Sequence, residues 1–147
     1  MNSNGIIFPV TTACMIFNLV SCDSNPKLKI PNRLPTFAVK GTILIDGDPV
    51  GFVTVKFNPA TPQDRGGYQT SGVTDDVGRI TVSTYGLGDG APAGEYVLTF
   101  SKREKYVDGS DGPDALNGRY ESTQRSPHRI VIANGPFDFG EIKLTTN

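Results

Sequence analysis

The fold is decided by the stretch Phe37-Ala38-Val39-Lys40-Gly41-Thr42-Ile43-Leu44-Ile45-Asp46-Gly47-Asp48-Pro49. From 37 to 45 the odd positions hold Phe, Val, Gly, Ile and Ile, and the even positions hold Ala, Lys, Thr and Leu. A period of two is typical of a β-strand that buries one face. The run ends at Asp46-Gly47, and Asp-Gly is a strong signal for a hairpin turn. The stretch therefore predicts an amphipathic strand followed by a tight turn.

The same period recurs along the chain. The predicted strands are 37–45, 53–58, 70–74, 79–84, 96–101, 129–133 and 141–145. Because alternation buries only one face of each sheet, two sheets must pack face to face. The sequence therefore predicts an all-β fold, a seven-stranded β-sandwich with Greek-key-like connections. A small closed barrel is the alternative, since strand patterns alone do not decide closure.

The composition narrows the classes of protein. A chain of 147 residues fits one domain of ordinary size. Lys and Arg number 14 against 15 Asp and Glu, and this balance argues against a sequence-independent grip on nucleic acid. With 17 Gly, 11 Pro and 2 Cys, the chain does not match a coiled coil, a polytopic membrane protein or a disulfide scaffold.

The N-terminal segment indicates export. Residues 1–21 contain no charged side chain and hold the most apolar stretch of the chain, which stops at Leu19-Val20-Ser21-Cys22. An apolar region that ends in small residues is typical of a secretory signal. Leu-Val-Ser-Cys resembles the lipobox of bacterial lipoproteins, which implies removal of residues 1–21 and acylation of the Cys22 thiol. A plain secretion signal, and a buried first strand or helix with an ordinary Cys22 thiol, are the alternatives.

A linker separates this segment from the predicted domain. Pro26, Pro31 and Pro35 punctuate residues 23–36, which show no apolar periodicity. Such a segment favours extended backbone and buries little surface. We therefore expect a signal peptide at 1–21, a lipidated Cys22 with a flexible linker at 22–36, and one β-sandwich domain at 37–147.

Short motifs inside the domain resemble a known family. They are Gly72-Val73-Thr74-Asp75, Gly78-Arg79-Ile80 and Asp89-Gly90-Ala91-Pro92-Ala93-Gly94-Glu95-Tyr96, in this order after the first hairpin. The pattern resembles the carboxypeptidase-regulatory-like domain of bacterial secreted lipoproteins, a transthyretin-like (prealbumin-like) sandwich of seven strands. The resemblance implies a fold and export. It implies an accessory or binding module rather than a defined chemistry.

Few residues are suited to catalysis. His128 is the single histidine, so sites that need several imidazoles are excluded. Ser126, His128 and Asp138 form a nominal Ser-His-Asp set, but no nucleophile-elbow sequence surrounds the serine. We therefore predict no enzyme activity and no cofactor, with a small hydrolase as the remaining alternative.

The region 102–127 holds the other candidates. Asp108, Asp111 and Asp114 offer carboxylate oxygens, and calcium takes about six to eight oxygen ligands. Their spacing of three differs from that of an EF-hand loop, and Asp and Gly are also ordinary turn residues. The sequence predicts a solvated turn and no metal, with calcium binding by these three weak candidates as the alternative.

Together these features predict a non-catalytic lipoprotein of the cell envelope, exported and held at a membrane by the lipid on Cys22. Its sandwich is expected to act as a structural or protein-interaction module that contacts envelope protein or glycan, and not nucleic acid. The alternative is a carbohydrate- or ligand-binding module that uses the loop 102–127, with calcium as an added ligand. Long loops on a rigid sandwich are where binding residues usually lie.

Overall fold

A computed structural model describes residues 32–147. In this range every regular element is a β-strand, which confirms the all-β prediction. The strands are β1 (Thr36–Phe37), β2 (Val39–Ile45), β3 (Asp48–Pro49), β4 (Thr54–Pro59), β5 (Thr70–Thr74), β6 (Ile80–Ser83), β7 (Ala91–Pro92), β8 (Gly94–Ser101), β9 (Arg103–Lys105), β10 (Asp111–Asp114), β11 (Arg129–Ile132) and β12 (Phe137–Leu144). Within the described range no helix has the length and hydropathy that a membrane span requires.

Two sheets form the body of the domain. The larger has five antiparallel strands in the order β11-β8-β4-β5-β6. The smaller has three in the order β12-β2-β3, and β12 runs parallel to β2. Two further ladders are short and have two strands each. β1 pairs with β7, and β9 pairs with β10. Buried apolar side chains from both sheets form one cluster, so the domain is a β-sandwich.

The period of two places the core as the sequence predicts. On β2 the buried side chains are Val39, Ile43 and Ile45, and on β4 they are Val55 and Phe57. Seven strands fall on the seven predicted ranges: β2, β4, β5, β6, β8, β11 and β12. The five strands that the pattern missed are only two to four residues long.

The two sheets meet along β2 and the turn before β6. Thr42 and Arg79 form an isolated antiparallel bridge, and the Ile43 N–H donates to the Gly78 carbonyl oxygen at 2.8 Å. A β-carbon on Gly78 would overlap the Ile43 carbonyl oxygen, so the close approach of the sheets requires glycine there. Within residues 32–147 no ladder joins β11 to β12. The sheets are therefore linked at one side only, as in a sandwich rather than a closed barrel.

Gly90 comes directly before β7, and a substitution there tests how closely β7 must approach β1. Its φ is +87°, and a β-carbon there would overlap the carbonyl oxygen of Phe37 in β1. We expect Gly90→Ala to lower the free energy of unfolding by about 1–3 kcal/mol, because it adds left-handed strain and a backbone clash. The measurement is urea denaturation of the full chain. Gly86→Ala is the matched control, since Gly86 has open space around it, and equal losses in the two variants would contradict this account.

Candidate binding site

The loop 60–69 connects β4 to β5 and carries an arginine into the interior. The chain reverses at Gly66 and Gly67, whose φ values of 63° and 84° lie in the left-handed region that suits glycine. Asp64 Oδ1 accepts the N–H of Gly66 at 3.1 Å and closes a local turn. Arg65, inside this turn, is only 4% exposed.

The Arg65 guanidinium donates four hydrogen bonds to neutral acceptors. Nε and Nη2 both donate to Gln63 Oε1, at 2.9 and 2.6 Å. Nη1 donates to Thr70 Oγ1 at 2.8 Å, and Nη2 donates to the Tyr96 hydroxyl at 3.0 Å. Because these acceptors belong to three segments, one guanidinium ties the loop 60–69 to β5 and β8.

A threonine relay continues from the guanidinium. Thr84 Oγ1 donates to the Gly90 carbonyl oxygen at 2.7 Å, and the hydroxyls of Thr70 and Thr84 lie 2.9 Å apart. Because the hydroxyl proton of Thr84 is used on Gly90, Thr70 must be the donor between the two hydroxyls. Thr70 thus accepts from Arg65 and donates to Thr84, and both buried threonine hydroxyls are satisfied.

Two further relays reach the same short segment. The Tyr96 hydroxyl donates to the Pro92 carbonyl oxygen at 2.8 Å, and Gln63 Nε2 donates to the Ala93 carbonyl oxygen at 3.2 Å. Burial raises the pKa of the Tyr96 phenol, while the positive charge of Arg65 acts in the opposite direction. The phenol therefore stays protonated at neutral pH and serves as both acceptor and donor.

The positive charge of Arg65 has no carboxylate partner in the described part of the chain, where none of the ion pairs includes it. A guanidinium has five N–H groups. Four are used, and the fifth, on Nη1, has no acceptor among residues 32–147. A buried charge without a counter-ion costs free energy even when it is hydrogen-bonded. The group has the chemistry of an anion site.

A cavity of about 220 Å³ lies beside Arg65. Its lining consists of Lys56, Phe57, Asn58, Pro59, Gln63, Arg65, Tyr68, Gln69 and Thr70. Two of these side chains are cations and none is an acid. Lys56 is exposed, and Tyr68 is 37% exposed with its ring edge-on to Tyr85 at 5.3 Å between centroids. The cavity thus combines positive charge, amides and a phenol ring.

Residues 32–34 lie against the neighbouring loops. Asn32 Nδ2 donates to Asp64 Oδ2 at 2.5 Å, and the Leu34 N–H donates to the Tyr85 hydroxyl at 3.0 Å. Arg33 Cζ lies 5.2 Å from the centroid of the Tyr85 ring. The last part of the predicted linker therefore contacts the domain beside the loop 60–69. The predicted signal at 1–21, Cys22 and the first part of the linker lie outside the described residues.

Asp114, one of the three calcium candidates, organises the region 102–127. Its Oδ1 accepts the N–H of Lys102 at 2.7 Å and of Leu116 at 3.2 Å, and its Oδ2 accepts the N–H of Gly118 at 2.9 Å. The residue is only 8% exposed. Three main-chain donors occupy this buried carboxylate, so its place in the structure is that of a loop anchor.

Asp108 and Asp111 have separate partners. Asp108 Oδ1 accepts from the hydroxyl and the N–H of Ser110 at 2.6 and 2.9 Å, and these bonds lower the pKa of Asp108. Asp111 pairs with Lys105 at 2.5 Å, and this contact lowers the pKa of Asp111. Among residues 32–147 no group of three or more His, Cys, Asp or Glu side chains is arranged to hold a metal ion. The three candidates are not brought together.

The nominal Ser-His-Asp set is not assembled either. Ser126 Oγ donates to the Leu98 carbonyl oxygen at 2.5 Å and accepts the main-chain N–H of His128. The His128 ring packs edge-on against Phe100 at 5.2 Å between centroids. Asp138 lies on β12, where its Oδ1 accepts the N–H of Gly140. The serine hydroxyl is committed to main chain, so the three side chains do not form a catalytic relay.

The Arg65 cavity was not predicted from the sequence, which indicated only a loop at 60–69. Period-two alternation identifies buried apolar positions in strands, and it carries no signal for a buried cation in a loop. The nearest signals are Gly66-Gly67, which mark the turn, and the bulky Tyr68 among polar neighbours.

No family model and no curated protein matches this chain. Among solved structures it is similar to the major pilin subunit BcpA of Bacillus cereus, with 13% identity and a TM-score of 0.46 over 76% of this chain and 30% of the pilin. It is also similar to (S)-allantoin synthase, with 16% identity and a TM-score of 0.43 over 78% of this chain and 43% of the synthase. A 9R-lipoxygenase from Cyanothece shows 17% identity and a TM-score of 0.39 over 75% of this chain and 16% of the enzyme. The chain spans less than half of each of these proteins, and we transfer no function from them.

Asp114→Asn tests the loop anchor. The amide replaces one acceptor oxygen by a donor, so at least one main-chain N–H loses its partner. We expect the free energy of unfolding to fall by about 1–3 kcal/mol, as is typical when a buried hydrogen-bonding group is left unsatisfied. Asp108→Asn, at an exposed turn, is the control and should change stability far less in the same urea titration. A loss no larger than that of the control would show that Asp114 does not anchor the loop.

His128 gives the domain a pH dependence whose sign can be worked out. Burial lowers the pKa of His128 below its ordinary value of 6.5. The unfolded chain therefore binds more protons than the folded chain just below pH 6.5, and stability rises with pH there. We expect the free energy of unfolding to decrease from about pH 7.5 to about pH 5.5, and His128→Gln to remove this slope. A slope that persists in the variant would contradict the assignment, because the chain has 1 histidine.

Proposed function

We propose that this chain is an exported lipoprotein whose β-sandwich acts as a non-catalytic interaction module in the cell envelope. The observation that carries the proposal is the motif Leu19-Val20-Ser21-Cys22 at the end of an uncharged apolar segment, followed by a proline-rich stretch. In this account Cys22 carries the lipid, and residues after it hold the sandwich near the membrane.

The reach of the tether supports this arrangement. Asn32 lies ten positions after Cys22, and ten extended residues span at most about 36 Å. Asn32 is bonded to Asp64 in the loop 60–69. A lipid on Cys22 therefore keeps that loop within a few tens of ångströms of the bilayer, where envelope proteins and glycans are the available partners.

The chemistry of the described residues favours binding over catalysis. The serine, histidine and aspartate that could have formed a hydrolase each contact main chain or pack against a ring. The cavity beside Arg65 offers cations, amides and a phenol ring, which recognise a ligand without activating a nucleophile. A ligand-binding role is thus the second candidate, and Arg65 favours its location at 60–69 rather than at 102–127.

Labelling of the two cysteines tests the anchor. The chain expressed in a bacterial host with an alkyne-bearing fatty acid should incorporate the label, and Cys22→Ser should abolish it. Cys14→Ser is the matched control, since Cys14 lies inside the segment that would be removed, and it should label like the parent chain. Label retained in Cys22→Ser, or an exported chain whose mass includes Met1–Ser21, would contradict the proposal.

A further inference from the structure

We propose that the cavity beside Arg65 binds a carboxylate-bearing saccharide, with a hexuronic acid unit as its ligand. The inference deepens the interaction role proposed above and rests on it, but it does not depend on the lipid at Cys22. The experiments on the anchor and on the cavity are separate, so each idea can fail alone.

The charge of the cavity selects an anion. Arg65 and Lys56 both line it, and none of the ion pairs of residues 32–147 includes either one. The nearest acid in the loop, Asp64, does not line the cavity and is bonded to Asn32 and Gly66. A ligand carboxylate would supply the counter-charge that the buried guanidinium lacks, and charge-assisted hydrogen bonds are the strong ones.

The guanidinium is held in place before any ligand arrives. Four of its N–H groups are fixed by Gln63, Thr70 and Tyr96, and the fifth, on Nη1, has no acceptor among residues 32–147. A cation that is already positioned loses little side-chain entropy on binding. Lys56 is exposed at the cavity, where its flexible stem can follow a second carboxylate oxygen.

The rest of the lining suits a sugar ring. Tyr68 presents a partly exposed ring, and Gln69 and Asn58 border the same space. The Asn58 Nδ2 already donates to the Val97 carbonyl oxygen and to Thr99 Oγ1, so among the described residues Gln69 is the amide with both groups available. A pyranose has one apolar C–H face, which can cover an aromatic ring, and hydroxyls that can pair with amides. The volume of about 220 Å³ lies below the range of about 300–1,000 Å³ that is usual for drug-sized ligands, so the cavity fits a single ring unit.

The strands beside the cavity argue against a peptide as the ligand. A peptide that adds to a sheet needs a free strand edge for its main chain. β4 is paired on both sides, with β5 and β8, and β5 is paired with β4 and β6. A peptide carboxylate could meet Arg65, but its backbone would find no edge to pair with.

Titration of the full chain in detergent tests the inference at constant ionic strength. The probes are sodium glucuronate, glucose as the neutral match, and N-acetylalanine as a peptide carboxylate. Binding of each probe is measured by calorimetry or by chemical-shift changes. We expect glucuronate to bind at least about tenfold more tightly than glucose, as one charge-assisted bond provides, and more tightly than N-acetylalanine. Equal binding of glucuronate and glucose, or no binding of either, would overturn the inference. If N-acetylalanine bound as tightly as glucuronate, the proposal of a saccharide ligand would be wrong and a peptide carboxylate would be the ligand instead.

Variants locate the site. Lys56→Met should weaken the binding of glucuronate at least about fivefold. Lys143→Met, at an exposed lysine on β12, should leave the affinity unchanged. Tyr68→Ala should weaken glucuronate, and Tyr106→Ala, at an exposed tyrosine of the loop 102–127, should leave it unchanged. Arg65→Lys keeps the charge and loses the fixed geometry. If that variant does not fold, Lys56→Met still decides, since unchanged binding in Lys56→Met excludes this cavity.

Discussion

The buried guanidinium of Arg65 is the interaction on which the loops at its end of the sandwich depend. Its hydrogen bonds run through Gln63, Thr70 and Tyr96 to carbonyl groups within 90–93. That segment contains β7, which pairs with β1 and so holds the first strand of the domain. Loops that follow different strands are thereby fixed to one another by a single side chain. An apolar side chain could fill the space, but it could not satisfy these polar groups.

Asp114 orders the region 102–127 by accepting hydrogen bonds, whereas Arg65 orders its loop by donating them. Arg65 is a cluster of donors surrounded by acceptors, whereas Asp114 is a pair of acceptor atoms surrounded by main-chain donors. Both side chains are buried, and each satisfies several polar groups of the segment around it. In the region 102–127 this adds to the packing of Leu116 in the core. The two long connections of the domain therefore each contain one buried charged side chain that fixes local polar groups, while the sheets are held by the apolar core.

This division explains how much of the molecule could be predicted from its sequence. Alternation at Val39, Ile43 and Ile45 reflects the core directly, so the seven main strands and the sandwich were predictable. The two-residue pairing of β1 with β7 contains no period, and the parallel contact of β2 with β12 joins positions about a hundred residues apart.

The candidate site shows the same limit. Asp108, Asp111 and Asp114 are close in sequence, and on that basis they suggested a shared ligand. In the structure each carboxylate has a partner of its own: Ser110 for Asp108, the Lys105 ammonium for Asp111, and main-chain N–H groups for Asp114. Arg65 lacked any such cue, since burial of an arginine depends on acceptors that come from 63, 70 and 96.

Residues 32–34 and the cavity are held to the domain with different strength. Asp89 accepts the main-chain N–H groups of Thr84, Tyr85 and Gly86. Its Oδ2 lies 3.8 Å from Arg33 Nη2. A long ion pair to the exposed side chain of Arg33 contributes little, and the ladder that follows is only two residue pairs long. The relays from Arg65, by contrast, are buried, and breaking one leaves a polar group unpaired. Force applied at residues 32–34 would therefore break these contacts before it disturbed Arg65, so the geometry of the cavity does not depend on them.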